Sequence, residues 1–482
     1  MICVTVTPKS RTLAPADILN AARHGDIIEL CLDYFVKEPD IKDLLSITEK
    51  PMIVSCRRKE DGGHWQGTEE QRLMLLRQAI VAGPEYVELD LEIAPKVPRF
   101  GDTKRVISFT RLDGPETDIQ DIFYQASNAK ADIVKFTWPT PDLDSAWPLL
   151  AAVSQKRILP VVGMGLGRPE LTFSLLGLKY GSPWIYAALE PGMESHPGQA
   201  NVHELIETYH CQDIDSKTVF VAIAGFGPAQ TLGTRILNAA FAELEMNVRC
   251  LPIELGSTSQ LKKMLDILKI RAIVVKGTLG RQLLELADHI DKHDEQSQYI
   301  NLLLKTDKGW NGYNTLWRAA LKAVEQQFGG GSRPLDKRNV MVIGNGGIAQ
   351  SMVHAVTQRK GLVSVCGPND KEAQLTAATC GCRHVPFQNL YETLADVIII
   401  ADPNVKSGTS RGMVNPSVFQ PNMTVIDVSN LPLETDLLIE ARDRGCKVID
   451  SSEIFTDQLK SQFRAFTGKD LPDLAIQSGM EA

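Results

Sequence analysis

The strongest constraint on this chain is a pattern that repeats over residues 1–212: a short β-rich run, a turn, then a longer stretch with apolar residues at helical spacing. The runs fall at 2–6, 27–32, 52–56, 86–91, 105–109, 132–136, 158–162 and 184–189. The segment between the third and fourth, TEEQRLMLLRQAIV at 68–81, carries its apolar residues on one helical face. Alternation of this kind calls for parallel strands joined by crossover helices. Eight units suit a closed (β/α)8 TIM barrel, in which the active site gathers where the strands end. An open doubly wound sheet is the alternative arrangement of the same units.

A second organisation starts near Val219. VFVAIAG (219–225) reads as a strand, TRILNAAFAELEM (234–246) as an amphipathic helix, and CLPIEL and IRAIVVKG as further strands of a smaller α/β unit ending near Phe328. The segment GGGSRPLDKR at 329–338 has the composition of a linker. After it, NVMVIGNGGIAQSMVHAV runs from an apolar strand directly into a glycine turn and a helix. These shifts divide the 482 residues into 1–212, 217–328 and 334–482.

Bulk charge narrows the partners. With 51 Lys and Arg against 59 Asp and Glu the formal net charge is −8, so no global field attracts nucleic acid or an anionic membrane. Apolar runs such as 397–401 are far shorter than the ~20 residues of a membrane span. The start, MICVTVTPKS, lacks a basic region followed by a long apolar stretch, and nine scattered cysteines read as reduced thiols, so a cytoplasmic protein is expected. No metal-ligand spacing stands out.

Three places carry chemistry. The turn Gly344-Asn345-Gly346-Gly347-Ile348-Ala349 fits G-x-G-x-x-A, follows a strand, opens a helix and precedes a second strand, LVSVC at 362–366. In that context Gly344, Gly346, Gly347 and Ala349 let the backbone approach a pyrophosphate at a helix N-terminus; a purely structural turn is the alternative. Asp370 is placed to reach a ribose 2′-hydroxyl, while no selector of a 2′-phosphate is recognisable, so the cofactor is NADP or NAD. Lys135 ends the run ADIVKF, where an apolar setting favours Schiff-base chemistry and a snorkelling strand-end lysine is the bland reading. Arg57, Asp61, Glu29 and Asp33 stand at two other strand ends, and Ser195-His196-Pro197-Gly198-Gln199 follows the eighth run. His196 and His64 are acid–base candidates or bystanders.

On these motifs residues 1–212 resemble type I 3-dehydroquinate dehydratase, and the remainder resembles shikimate dehydrogenase. The first likeness rests on Glu29 to Asp33, Arg57 with Gly62-Gly63, Ala131 to Lys135, and Ser195 to Gln199. The second rests on Asn238 to Phe241, Asn301, Gly312 to Thr315, the glycine turn, Pro432 to Thr435, Gln458 and Gln462-Phe463. The resemblance implies a barrel followed by a two-lobed unit with a Rossmann nucleotide-binding lobe, whose C-terminal helices return to the substrate lobe. It implies imine-based dehydration of 3-dehydroquinate followed by dinucleotide-dependent reduction to shikimate, small carboxylated cyclic substrates, and leaves the oligomeric state open.

The same resemblance assigns roles. Lys135 becomes the Schiff-base lysine, and Glu29, Arg57, Ser195 and Gln199 hold substrate; in the second half Thr231, Asn301 and Gln458 do so. Departures follow. The family's S-Y-H is here Ser108-Phe109-Thr110, its glutamate before the glycine pair is Asp61, and the arginine of its E-x-R is Cys31. The arginine that grips the substrate carboxylate falls near Ser174, with Arg168 as nearest stand-in. In the second half the aspartate of N-T-D is Leu316, and the catalytic lysine aligns near Gly277 or Thr278, leaving Lys276 as its replacement. One of two expected serines is Thr231 and the other Gly233; N-R-T is Gly367-Pro368-Asn369. A binding or regulatory protein on the same scaffold, or an enzyme with a changed substrate, are the other readings of these substitutions.

Overall fold

The computed structural model describes the chain except residues 117, 155–157, 278, 330–332 and 482, and omits the side chains of 152–154, 258 and 293. Two compact units divide it: Met1–Phe220 with Leu244–Ser257, and Val221–Glu243 with Thr258–Ala482.

The first unit is an eight-stranded parallel barrel. Its strands are β1 (Ile2–Val6), β2 (Ile27–Cys31), β3 (Met52–Ser55), β4 (Tyr86–Asp90), β5 (Lys104–Thr110), β6 (Ile133–Pro139), β7 (Val161–Leu166) and β8 (Ile185–Ala188). They are bonded in the order β7-β6-β5-β4-β3-β2-β1-β8, and β7 packs beside β8 to complete the ring. Strands covered on both faces read as continuous apolar runs rather than alternating ones. Accordingly β1, β2 and β3 are buried at every residue. Cys3, Ile53, Val106, Val162, Trp184 and Tyr186 fill one cluster inside.

Local chemistry explains the crossovers. Helix Glu69–Ala82 starts on a reciprocal cap, in which Thr68 accepts from the Gln71 amide and Gln71 accepts from the Thr68 amide. Arg72 on that helix is almost wholly buried, donating to the Cys56 carbonyl at 2.7 Å and to Asp90 Oδ2 at 2.6 Å. It thereby ties the helix to the ends of β3 and β4.

The seventh strand corrects the sequence reading. The expected run at 158–162 contains Pro160, and Ile158 is fully exposed; the strand instead covers Val161–Leu166, GMG included. Gly163 is a strand residue for a packing reason, since a Cβ there would enter the Phe173 ring. Glycines that signal a turn in sequence mark close helix–strand contact here.

In the second unit, strands Val219–Ala224, Ile270–Val274, Leu302–Thr306, Gly309–Tyr313 and His289–Ile290 follow one another across a mixed sheet. A further six-stranded sheet is entirely parallel. Counting from Asn339–Ile343 as its first strand, the order is 3-2-1-4-5-6, which is the Rossmann arrangement. The C-terminal helices Ser451–Thr467 and Asp473–Glu481 pack on helices Leu316–Gln327 and Pro228–Glu243, with Phe463 against Phe241 at 5.3 Å between ring centres. Of the linker segment 329–338, residues 330–332 lie outside the described residues. Among the described residues no helix is long and apolar enough to cross a membrane, no group of His, Cys, Asp and Glu could hold a metal ion, and all nine cysteines are unpaired.

Candidate active site

Four charged side chains meet in the barrel interior, and Lys135, expected to end its strand, instead lies within β6, which runs on to Pro139. Lys135 on β6 is wholly buried; its Nζ donates to Glu88 Oε2 at 2.9 Å and lies 3.8 Å from Glu29 Oε1. Arg57 just after β3 pairs with Glu29 and reaches Glu88 at 3.4 Å. Two cations and two carboxylates balance one another, as burial of charge requires. Burial by itself raises the Glu88 carboxyl, but Lys135 and Arg57 outweigh it and hold Glu88 well below the usual carboxylate range. Tyr186 covers the lysine, its ring centre 4.5 Å from Nζ, and burial raises its phenol well above the ordinary value. The Tyr186 hydroxyl is a buried polar atom without a partner.

The cluster continues along the mouth. Thr5 Oγ1 on β1 donates to Glu29 Oε2 at 3.4 Å, and Gln199 Nε2 donates to Thr5 Oγ1 at 3.5 Å. Gln199 Oε1 accepts from the Ser195 amide at 2.8 Å and lies 3.1 Å from Ser195 Oγ. Lys135, Glu29, Arg57, Ser195 and Gln199 are thus brought into one connected group by elements far apart in sequence.

The other barrel candidates lie elsewhere. Asp61 is held by Arg58 Nε at 2.6 Å; with Thr110, Ser108 and Asp90 it lines a cavity of about 320 Å³ whose lining does not include Lys135. Arg168 is committed to a two-pronged pair with Glu204, and Ser174 Oγ donates to Glu170 Oε1 at 3.3 Å. Cys31 is buried, and burial raises its thiol. His64 stacks on Tyr34 at 4.2 Å and borders another cavity of about 820 Å³, with Trp65 and Phe35.

In the second unit, Lys276 is inserted between segments distant in sequence. Its Nζ donates to the Leu431 carbonyl at 2.8 Å and lies 4.9 Å from the centre of the Phe455 ring. Burial pushes its amine down to about 8. Phe455 also closes on Gly233, where an added Cβ would sit 3.5 Å from the ring, and Gln458 is buried one turn further along the same helix. Asn301 Oδ1 accepts from the Thr315 amide and hydroxyl at 2.8 and 3.2 Å, and Gln462 Nε2 donates to the same hydroxyl at 3.2 Å. Their outer atoms, Asn301 Nδ2 and Gln462 Oε1, are buried without a partner: a donor and an acceptor left open. Thr231 is half-buried on helix Pro228–Glu243. Leu316 is buried at the start of helix Leu316–Gln327, so no carboxylate stands there. Thr278 lies outside the described residues.

The glycine turn fits a dinucleotide. Gly344 has φ +144°, and a Cβ there would lie 2.9 Å from the Ala401 carbonyl carbon and from Asp402 Cβ; at Gly347 it would lie 2.7 Å from the Tyr299 ring. Helix Gly346–Gln358 begins without a side-chain cap from Asn345, its Gly346 amide donates to Thr376 Oγ1 at 3.4 Å, and Ala349 is buried in its first turn. At the ribose end Asp370 is engaged, accepting from the Phe387 amide at 3.1 Å and facing His384 Nε2 at 3.2 Å. A cavity of about 580 Å³ beside it carries Arg411 in its lining.

Sequence reasoning passed over Glu88, Thr5, Glu170, Gln462 and Arg411 as site residues. Glu88 had a signal, because YVELDL, like IIELCL around Glu29, sets an acid inside an apolar strand. Arg411 had none, since it reaches the ribose end only through a loop that follows the fourth Rossmann strand.

A parallel barrel with a charged cluster in its interior, together with a Rossmann-containing unit, defines a two-part α/β protein. Residues 2–216 match the model of the type I 3-dehydroquinase family. Over 508 residues the chain is 24% identical to the Arabidopsis thaliana bifunctional 3-dehydroquinate dehydratase/shikimate dehydrogenase, chloroplastic, covering 98% of this chain and 83% of that protein. It is 22% identical to the Chlamydia pneumoniae shikimate biosynthesis protein AroDE, covering 96% and 94%. A solved dehydroquinate dehydratase and shikimate dehydrogenase from S. pombe is 17% identical, covering 99% of this chain and 98% of that one at a TM-score of 0.45. Residues 2–216 thus match the type I 3-dehydroquinase family, and nearly the whole chain is similar to bifunctional dehydratase–dehydrogenase proteins.

Proposed function

We propose that this protein serves the shikimate pathway with two activities: the barrel dehydrates 3-dehydroquinate through an imine on Lys135, and the second unit reduces 3-dehydroshikimate with a nicotinamide dinucleotide. The observation that carries the reading is the buried Lys135 within β6, flanked by Glu88 and Glu29 with Arg57 behind them. The two carboxylates hold Nζ in place inside the barrel, and the amine, once free of its proton, attacks the ketone. Arg57, Ser195 and Gln199 orient the ring. Borohydride added with 3-dehydroquinate should add the ligand mass at Lys135, and a protein that takes no adduct is not this dehydratase.

In the second unit Asn301, Gln462, Gln458 and Thr231 hold the hydroxyls and carboxylate, supported by the open donor and acceptor on Asn301 and Gln462. Residues 344–349 hold the pyrophosphate, and the dinucleotide supplies the hydride when bound. Arg411 favours NADP by offering a cation for a 2′-phosphate, while Asp370 is already engaged. Lys276, with an amine near 8, moves the alcohol proton alone where its family pairs lysine with aspartate. Leu316 supports a second reading for this unit, binding without turnover, which shikimate oxidation assays decide. A cytoplasmic setting accords with nine unpaired thiols.

A further inference from the structure

The Lys135 cluster has no histidine in contact with it, yet dehydration needs a group to take a carbon-bound proton and return it to the leaving hydroxyl. One imidazole is wired to the cluster. His196 Nε2 faces Glu170 Oε2 at 2.9 Å, and its Nδ1 faces Ser195 Oγ at 3.2 Å. Glu170 is buried at the start of helix Glu170–Lys179, right after β7, and is braced by Ser174 Oγ at 3.3 Å. The Ser195 amide, donating to Gln199 Oε1 at 2.8 Å, links through Gln199 and Thr5 to Glu29, 3.8 Å from Lys135 Nζ, which leaves the single Ser195 hydroxyl proton for His196 Nδ1.

Chemistry gives this chain a direction. A carboxylate opposite Nε2 retains the Nε2–H tautomer, so Nδ1 presents its lone pair to the Ser195 hydroxyl. It also stabilises the imidazolium that forms once Nδ1 gains a proton, as the acid of a Ser-His-Asp triad does. Solitary loop histidines lack such a partner; this one has a buried partner on one side and a hydroxyl on the other.

We infer that His196, oriented by Glu170 and acting through Ser195, stores the proton of the dehydration in this protein. The assignment rests on the imine reading of Lys135. In the iminium, Ser195 Oγ takes the C2 proton while passing its own to His196 Nδ1; the C2–H electron pair becomes the enamine double bond. The enamine then expels the C1 hydroxyl, which takes its bonding pair and receives the stored proton through Ser195 to leave as water. Hydrolysis of the conjugated iminium consumes one water and frees Lys135, so the cycle nets the loss of one water from the substrate. His196 does not touch the substrate and is a positioning residue in this scheme.

The test compares wild type with His196→Gln and Glu170→Gln, using borohydride trapping, steady-state kinetics with 3-dehydroquinate, and exchange of the substrate C2 proton in D2O followed by NMR. Both variants are expected to trap adduct at Lys135 as wild type does, which also shows that the barrel is folded. For His196→Gln, kcat should fall by about 10²-fold or more with KM within a few-fold, and C2 exchange should fall with it; Glu170→Gln should show a smaller loss in the same two quantities. Wild-type turnover and exchange in a variant that traps normally overturn the role of His196 and leave the imine intact. Absence of an adduct in wild type overturns both.

Discussion

Lys135 is wholly buried and Lys276 half-buried, and their surroundings set them to opposite tasks. Lys135 is offset by two carboxylates, so its removal leaves Glu29 and Glu88 sharing Arg57. We expect Lys135→Met to abolish borohydride trapping and dehydratase turnover and to destabilise the first unit by about 3 kcal/mol, measured by urea unfolding. Lys276 has no carboxylate among the partners described for it; its amine is pushed down to about 8 from 10.5. Its folded value lies below its unfolded value, so the unfolded chain holds more protons between those limits and stability rises with pH across that window. Below pH 8 the deficit is of order 3 kcal/mol, offset by about 1 for its bond to the Leu431 carbonyl. Lys276→Met should therefore be more stable than wild type by about 2 kcal/mol at pH 7, the difference closing toward pH 10, while shikimate oxidation is lost. Oxidation by wild type should rise with pH through about 8 as the free base forms. Leu316→Asp, which restores a carboxylate beside the N-T pair, is expected to raise that rate; an unchanged rate would argue for a binding role.

At the scale of elements, glycines separate what sequence shows from what it hides. The turn at 344–349 was legible as a phosphate loop because strand, glycines and helix are contiguous. Gly344→Ala and Gly347→Ala should each abolish NADPH fluorescence enhancement while leaving the barrel's imine trapping untouched, since both Cβ atoms would meet fixed neighbours. The seventh strand extends beyond the expected run at 158–162 because the reason for its glycines is distant in sequence: a Cβ at Gly163 would meet the Phe173 ring, and one at Gly165 would meet Thr140. Gly163→Ala is expected to cost about 1–3 kcal/mol by overpacking, read from denaturant midpoints. Helix Glu69–Ala82, by contrast, carried its own start in Thr68 and Gln71, three residues apart, and needed nothing distant.

The whole molecule has two units with separate cores, and each is expected to unfold in its own calorimetric transition. NADPH at about 100 times its Kd should raise the transition of the second unit by roughly 2.7 kcal/mol of stability and leave the first unmoved. A single transition shifted by the ligand would contradict this.

Periodicity determined the number of barrel strands and a local motif the glycine turn, because each is written in residues adjacent along the chain, while the Rossmann lobe was implied by the family resemblance. A local pattern likewise exposed Lys135 and Glu29 as charges inside apolar runs. Only the tertiary structure decided which charges meet. Glu88 joins Lys135 from two strands away in the barrel, Arg411 arrives at the ribose end by a loop, and Asp61 and Thr110 are assigned to a different cavity. His196 was an ambiguous loop histidine until Glu170 was found opposite its ring nitrogen. The physical reason is that electrostatic partnership depends on distances of a few ångströms between strand ends, and sequence separation carries no information about them.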